Sequence, residues 1–575
     1  MWGPDPSLCP QLTLSTLASF SVDIPIGSLP DKYAFAIRIT RALGYRFIWI
    51  DSLCIIQDSA EDWRREALKM AAVYGRSELN VSYVYPPSDG DAAGKYMRDG
   101  RVNLPCVASH PHSGGNKKKK APVSSEETHE NDTEKLIISH RPNFHRPTWS
   151  PTLYKRIWPL LSRGWVFQER LLCRCTVYFG QERLLWECSS GIIDEYYGPL
   201  TTVPGSKSHF FRLITGLASS SGGGVSKPSS GAAVFPGGGE GGGNNTEGMP
   251  DYDEDRGSAN EQWGPLVKDY RAGELTKEYD RGIAFAGIAR AIQASAKTTY
   301  LAGLWRELFA FDLLWTVGLV VVSEEEKKKA EARRAMMAQG GAPSWSWFAV
   351  VPTASKMGGD VLDWPFRTSM QVYRRYGLFE AAAVGFRHPK LGLGEGGDGD
   401  RDGDRDVLLH DFAGMSVTLR AKRVECGFEW WDDYGMLYVL PRGEARWVMG
   451  RRPNVWKGEA VTPRVLKYAH DDPAVKKGDA MPEGTCMVLT VEQAWHGDGA
   501  GLEKKTHAYV RGREIPEGWT TSYQYAGIVV VPADDGEDGS KRWKRIGAFM
   551  LFDNITGYDV SGPFDGAVEE DIVLV

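Results

Sequence analysis

Residues 45–75 read YRFIWIDSLCIIQDSAEDWRREALKMAAVYG. The stretch opens on YRFIWI (45–50), a short and nearly continuous apolar run. Such a run predicts a strand buried on both faces, as in a parallel sheet. The sixteen positions 51–66 then hold Asp51, Cys54, Gln57, Asp58, Glu61, Asp62, Trp63 and Glu66. A helix is predicted over 60–74, ended by Gly75. Ser59 or Asp58 can cap it, because Asp58-x-x-Glu61 and Ser59-x-x-Asp62 both have the spacing of a capping box. At about 100° per residue, Trp63, Ala67, Met70 and Tyr74 form one apolar stripe. Glu66 falls at its rim. Two readings of Glu66 follow: a carboxylate facing a cleft, with its pKa raised by desolvation, or an acid paired with Arg65 or Lys69. Spacing favours the second.

The flanks extend this pattern. DKYAFAIRITRAL (31–43) sets Phe35, Ala36, Ile39, Ala42 and Leu43 at helical spacing, with Gly44 as the stop. ELNVSYVY (78–85) reads as the next strand. Helix and strand alternating at these lengths imply an α/β unit with a parallel sheet. Asp51 then falls at the carboxyl end of a strand, where open α/β sheets bind ligands. In SRGWVFQERLLCRCTVYFGQERLLWEC (162–188), RGWVFQERLLC reads as a helix on which Trp165, Glu169 and Leu172 share a face. TVYF (176–179) and RLLWEC (183–188) read as strands. Glu169 is a candidate site acid, but Arg163, Arg170 and Arg174 beside it favour a structural ion pair.

A chain of 575 residues exceeds one ordinary core, so two or three domains are expected. A formal charge of −6 gives no electrostatic reason to expect nucleic acid or an anionic membrane. Eight cysteines are too few for a disulfide scaffold and read as reduced thiols in a cytoplasmic setting. MWGPDPSLCPQL lacks the basic and apolar regions of a signal peptide. The most apolar run, LFAFDLLWTVGLVVV (308–322), is short for a bilayer and carries Asp312. It reads as a buried helix running into a strand.

Composition divides the chain. An N-terminal unit over 1–198 is interrupted by a polar insertion at 86–150. A Gly/Ser and acidic linker spans 199–261. A helical region, 262–341, includes the charged stretch 323–340. A Trp-rich, strand-leaning region, 342–575, contains the low-complexity loop 391–406. Within the last region, YAGIVVVPA (525–533) and RIGAFMLFD (545–553) bracket a polar turn like a hairpin.

Two stretches carry a family resemblance. DSLCIIQDSAEDWRREALKMAAVY resembles the signature of the fungal heterokaryon-incompatibility (HET) domain: Trp49, Asp51, Cys54, Gln57, Asp58, Asp62, Trp63, Glu66, Met70 and Tyr74 stand at its positions. RGWVFQERLLCR is similar to the family's second motif through Arg163, Trp165, Gln168, Glu169 and Arg174. Residues 275–292, 300–315 and APSWSWFAV (342–350) resemble the segments that often follow. The resemblance implies non-self recognition and programmed cell-death signalling in a filamentous fungus, through protein partners and self-association. It also implies a TIR-like, flavodoxin-like parallel sheet. Some TIR domains cleave NAD⁺ with a glutamate that follows a Trp on a helix. By that likeness Glu66 is the catalytic candidate, with Asp51, Trp63 and Tyr74 binding substrate and NAD as substrate. One positioned carboxylate stabilises oxocarbenium-like charge as nicotinamide leaves. Family members begin with a strand close to L-S-Y-x-W-G. Here Met1 is followed directly by Trp2-Gly3, so that sheet position is expected to be unfilled, leaving an unpaired edge.

No resident cofactor or metal is expected. Gly392-x-Gly394-x-x-Gly397 has no strand leading into it. The run from Asp398 to Gly403 meets Leu409 where a calcium loop needs Glu. Cys173, Cys175 and Cys188 have no fourth ligand near. The reading that asks least of the sequence is a non-catalytic HET module; the alternative is an NAD-consuming effector.

Overall fold

A computed structural model describes residues 9–84, 158–180, 184–195, 198–199, 207, 210–211, 214, 255–296, 298–317, 324–338, 341–352, 362–364, 377–390, 392–395, 410–431, 436–441, 465–470, 482–497, 506–508, 520–536, 539–555, 564 and 566–575. The expected insertion 86–150, most of the linker, Trp2-Gly3 and the Asp398–Gly403 run lie outside them.

The N-terminal block contains α1 (Asp31–Ala42), α2 (Ala60–Arg76), β1 (Asn80–Tyr83), α3 (Gly164–Leu172), β2 (Cys175–Phe179), β3 (Leu184–Cys188), β4 (Gly191–Asp194) and β5 (Gly198–Pro199). The five strands lie in sequence order. Only β1 and β2 are parallel, with Asn80 opposite Thr176 and Tyr83 opposite Phe179. The other pairs are antiparallel. This corrects the expected parallel sheet: the fold is mixed α/β. The reason is chain length. β2, β3 and β4 follow one another through connections far shorter than the dozen residues a parallel crossover needs.

A second correction falls on YRFIWI. Gly44 ends α1 at φ 79°, as expected, but Tyr45–Ile50 forms no strand. An apolar run is buried in a sheet only if it has ladder partners, and among the described residues no strand pairs with this one. Phe47 is therefore 86% exposed and Leu43 53%. Gly75 does not stop its helix either; α2 runs on to Arg76.

The middle of the chain adds α4 (Asp255–Arg271) and α5 (Arg281–Ala296). Helix α4 begins inside the stretch expected as linker. Helix α5 crosses α2 and α3 at Gly287, where a Cβ would stand 2.5 Å from Ala71 Cβ and 2.5 Å from Gln168 Oε1. The Gly287 N–H donates to Gln168 Oε1 at 3.0 Å. Further along, LFAFDLLWTV is a helical turn, Phe309–Asp312, leading to the short strand Thr316–Val317, all buried as expected. The charged stretch forms α6 (Glu324–Ala338). It is tied down through Arg333, whose Nε lies 2.8 Å from Glu278 Oε1.

The core is continuous from the middle region into the C-terminal one. Trp263, Trp305, Trp315, Trp345 and Trp347 are fully buried. Two of these indoles donate to backbone acceptors, Trp347 Nε1 to Gly303 O at 2.6 Å and Trp315 Nε1 to Trp345 O at 3.1 Å. The C-terminal region is an 11-stranded sheet. Its longest pair, Thr520–Pro532 with Arg542–Ile555, is the expected hairpin. Gly392–Glu395, read as low complexity, instead pairs with Gly385–His388 as an edge strand.

Candidate functional site

The polar cluster after Ile50 folds the chain before it does anything else. Asp51 Oδ1 accepts from the Ser52 N–H at 2.8 Å and opens a helical turn, Asp51–Cys54. Gln57 Nε2 donates to Ile55 O at 2.8 Å and Asp51 O at 3.2 Å. Asp58 Oδ1 accepts from the Leu14 N–H at 2.9 Å. Ser59 is the helix cap, its Oγ accepting from the Asp62 N–H at 3.2 Å. Asp62, buried, accepts from the Ile56 N–H at 2.8 Å and from Arg65. Each of these side chains satisfies a backbone donor, or for Gln57 backbone acceptors, near a helix end or in the loop between.

The aromatic members fix one helix against the other. Trp63 on α2 meets Trp165 on α3 edge-on, centroids 6.0 Å apart, and Trp49 meets Tyr74 the same way at 5.7 Å. Met70 on the same helix as Trp63 is buried. Gln168 is committed to α5. Arg174 is exposed. Cys54 is half-buried, and burial raises its thiol above the ordinary range.

Beside this framework lies a cavity of about 910 Å³, lined among others by Tyr33, Trp49, Asp51, Tyr74, Arg163 and Glu169. Its walls include the apolar side of α1, the extended Tyr45–Ile50 and the outer edge of β1. Two of the proposed site residues, Asp51 and Tyr74, thus meet in one place. Trp63 and Glu66 do not line it. Glu66 Oε1 instead accepts from Lys69 Nζ at 2.8 Å and Arg65 Nε at 3.3 Å.

Of the acids that line the cavity, Asp51 among them, Glu169 has the raised carboxyl. Burial, then the charge of Asp51, push its carboxyl up to about 7, against the pull of Arg163 and a hydrogen bond from the Tyr74 hydroxyl. Burial likewise pushes Tyr74 well above its ordinary range, helped by the charges of Glu169 and Asp51. A carboxyl that titrates near neutrality, in contact with a cavity, is equipped to give and take a proton. Of the arginines near it in sequence, Arg163 shares the cavity wall and Arg170 points elsewhere, buried against Glu187. The legible signal was the phase of α3. Trp165 and Glu169 stand four apart on the face toward α2, and Arg170 turns to the sheet.

Among the described residues no group of three or more His, Cys, Asp or Glu is placed to hold a metal ion. No helix among them is long and apolar enough to cross a membrane.

No curated protein and no solved structure matches the chain. The model of one family, described as Heterokaryon incompatibility protein (HET), matches residues 1–169, which end on the cavity-facing glutamate. Trp49, Asp51, Tyr74, Arg163 and Glu169, which line one cavity, all fall within the residues that the heterokaryon incompatibility (HET) model matches.

Proposed function

We propose that this protein acts in heterokaryon incompatibility, signalling programmed cell death after non-self recognition in the cytoplasm of a filamentous fungus, and that its HET domain works as a self-assembling, non-catalytic module. The supporting observation is the open side of the N-terminal block. Tyr45–Ile50 is extended and carries Phe47 at 86% exposure, and β1 ends its sheet with no further strand among the described residues. Exposed apolar extended backbone beside a sheet edge is a template for pairing with another chain. The test is expression of the full chain in a fungal host, with viability and oligomeric state followed together. The expected result is higher-order assembly and death in the wild type, with both lost in Phe47→Asp. Death from a chain that stays monomeric overturns the reading.

The Asp51–Tyr74–Glu169 cluster favours a second reading, an NAD-consuming effector in which the cavity binds the dinucleotide. Glu169 then supplies the carboxylate for N-glycosidic cleavage in place of Glu66. Cellular NAD⁺ falling before death, in Glu66→Ala but not in Glu169→Gln, supports it. NAD⁺ intact at death removes it.

A further inference from the structure

Three cysteines close the hinge between α3 and the sheet. Cys173 ends the helix, buried, with Sγ 2.9 Å from the Cys175 carbonyl and 3.3 Å from Ser77 Oγ. Cys175 opens β2 and Cys188 closes β3, and the two are direct cross-strand partners in an antiparallel pair. Directly opposed residues point to the same face of a sheet. Their Cα atoms are about 4.5 or 5.5 Å apart, depending on the type of pair, and both values fall in the range a disulfide spans. The neighbours confirm the face: Thr176 and Glu187, the next pair along, are both buried on the opposite one. Cys175 and Cys188 are both half-exposed and both are free thiols, and burial, then the charge of Cys188, raises the Cys175 thiol. Cys173 has neither the exposure nor the register. Nothing in the cell-death or NAD-consuming readings uses this pair.

We propose that Cys175 and Cys188 are an oxidant-responsive modification site, forming a reversible cross-strand disulfide when a peroxide reaches the outer face of the β2–β3 hairpin. One thiolate attacks a peroxide oxygen. The O–O bond breaks and the leaving oxygen departs as water with the thiol's proton, giving a sulfenic acid. The second cysteine's sulfur attacks that sulfur, the S–S bond forms, the S–O bond breaks, and a second water leaves. The two thiols together lose two electrons, and the peroxide takes both. The bond links the ends of two strands that carry the buried Glu187 and Tyr178, so it staples the hairpin that receives Arg170. Partial exposure leaves the bond open to attack by a small thiol, which makes the step reversible.

The sequence makes the test unambiguous. Trypsin cuts after Arg170, Arg174, Arg183 and Lys207, placing the three thiols on separate peptides, 171–174, 175–183 and 184–207. The full-length chain is treated with hydrogen peroxide or with dithiothreitol, remaining thiols are alkylated in denaturant, and the digest is mapped by mass spectrometry. The expected product joins 175–183 to 184–207, with 171–174 alkylated, and dithiothreitol reverses it. Thermal unfolding of the oxidised protein is expected a few degrees above the reduced one, a shift absent in Cys175→Ser. Peptides 175–183 and 184–207 recovered fully alkylated after peroxide, a link through 171–174, or irreversible sulfinic acid at either position overturns the proposal. The mapping uses the wild-type chain, so it stands even if Cys175→Ser fails to fold.

Discussion

Arg170 and Glu187 form a two-point ion pair inside the N-terminal block: Nε lies 2.9 Å from Oε2 and Nη2 3.1 Å from Oε1, with both side chains buried. Tyr178 adds its hydroxyl to the same carboxylate. This pair fastens α3 to β3, and so holds the helix that carries Glu169 at a fixed height above the sheet. Removing one partner leaves a buried charge without compensation. Glu187→Ala is expected to destabilise the protein by about 3–5 kcal/mol, measured as a lowered denaturant midpoint with an unchanged slope.

Glu169 makes stability depend on pH. Its carboxyl is raised from 4.5 to about 7, and Asp280, desolvated, is raised from 3.8 to about 6. Each native carboxyl then holds a proton that the unfolded chain releases. Stability is expected to fall as pH rises from about 4.5 through about 7, and to level off above. The Glu169 share is at most about 3 kcal/mol, less to the extent that cavity water reaches the carboxylate. Glu169→Gln is expected to remove most of that slope in denaturation series at pH 5 and pH 8. An unchanged slope means the carboxyl titrates in its ordinary range.

Helix α5 needs a glycine at 287. Gly287→Ala places a methyl against Ala71 and Gln168, and overpacking of this kind costs about 1–3 kcal/mol. A lowered melting temperature is expected, with partial recovery in the double variant Gly287→Ala, Ala71→Gly. The recovery identifies a clash, since helix propensity alone would make Gly287→Ala stabilising.

Glu66 is held by Arg65 and Lys69, both more than half exposed. Exposed pairs are worth under about 1 kcal/mol. Glu66→Ala is therefore expected to leave the melting curve within a degree or two of wild type. A large loss would show that Glu66 has a structural partner beyond these two.

Much of this was legible one residue at a time. Ser59 caps α2 because a hydroxyl three residues before an open N–H has few better uses. Trp63, Ala67, Met70 and Tyr74 share a stripe because 3.6 residues make a turn. Local spacing set the helices, the β2–β3 strands and the long C-terminal hairpin, since each rests on contacts within a few residues or across one turn. What spacing could not supply was the partner across space. YRFIWI has the composition of a buried strand, but burial depends on neighbours distant in sequence, and no described strand pairs with it. Glu66 and Glu169 read alike, as half-buried acids among cations. Only the packing of α2 on α3 left one paired with Lys69 and Arg65 and set the other against Tyr74 and a cavity. The sequence by itself determined the signature and the turns that its short polar side chains close. The tertiary structure alone decided which carboxylate is desolvated, because a pKa is a property of the surroundings and the surroundings here come from three separate segments of the chain.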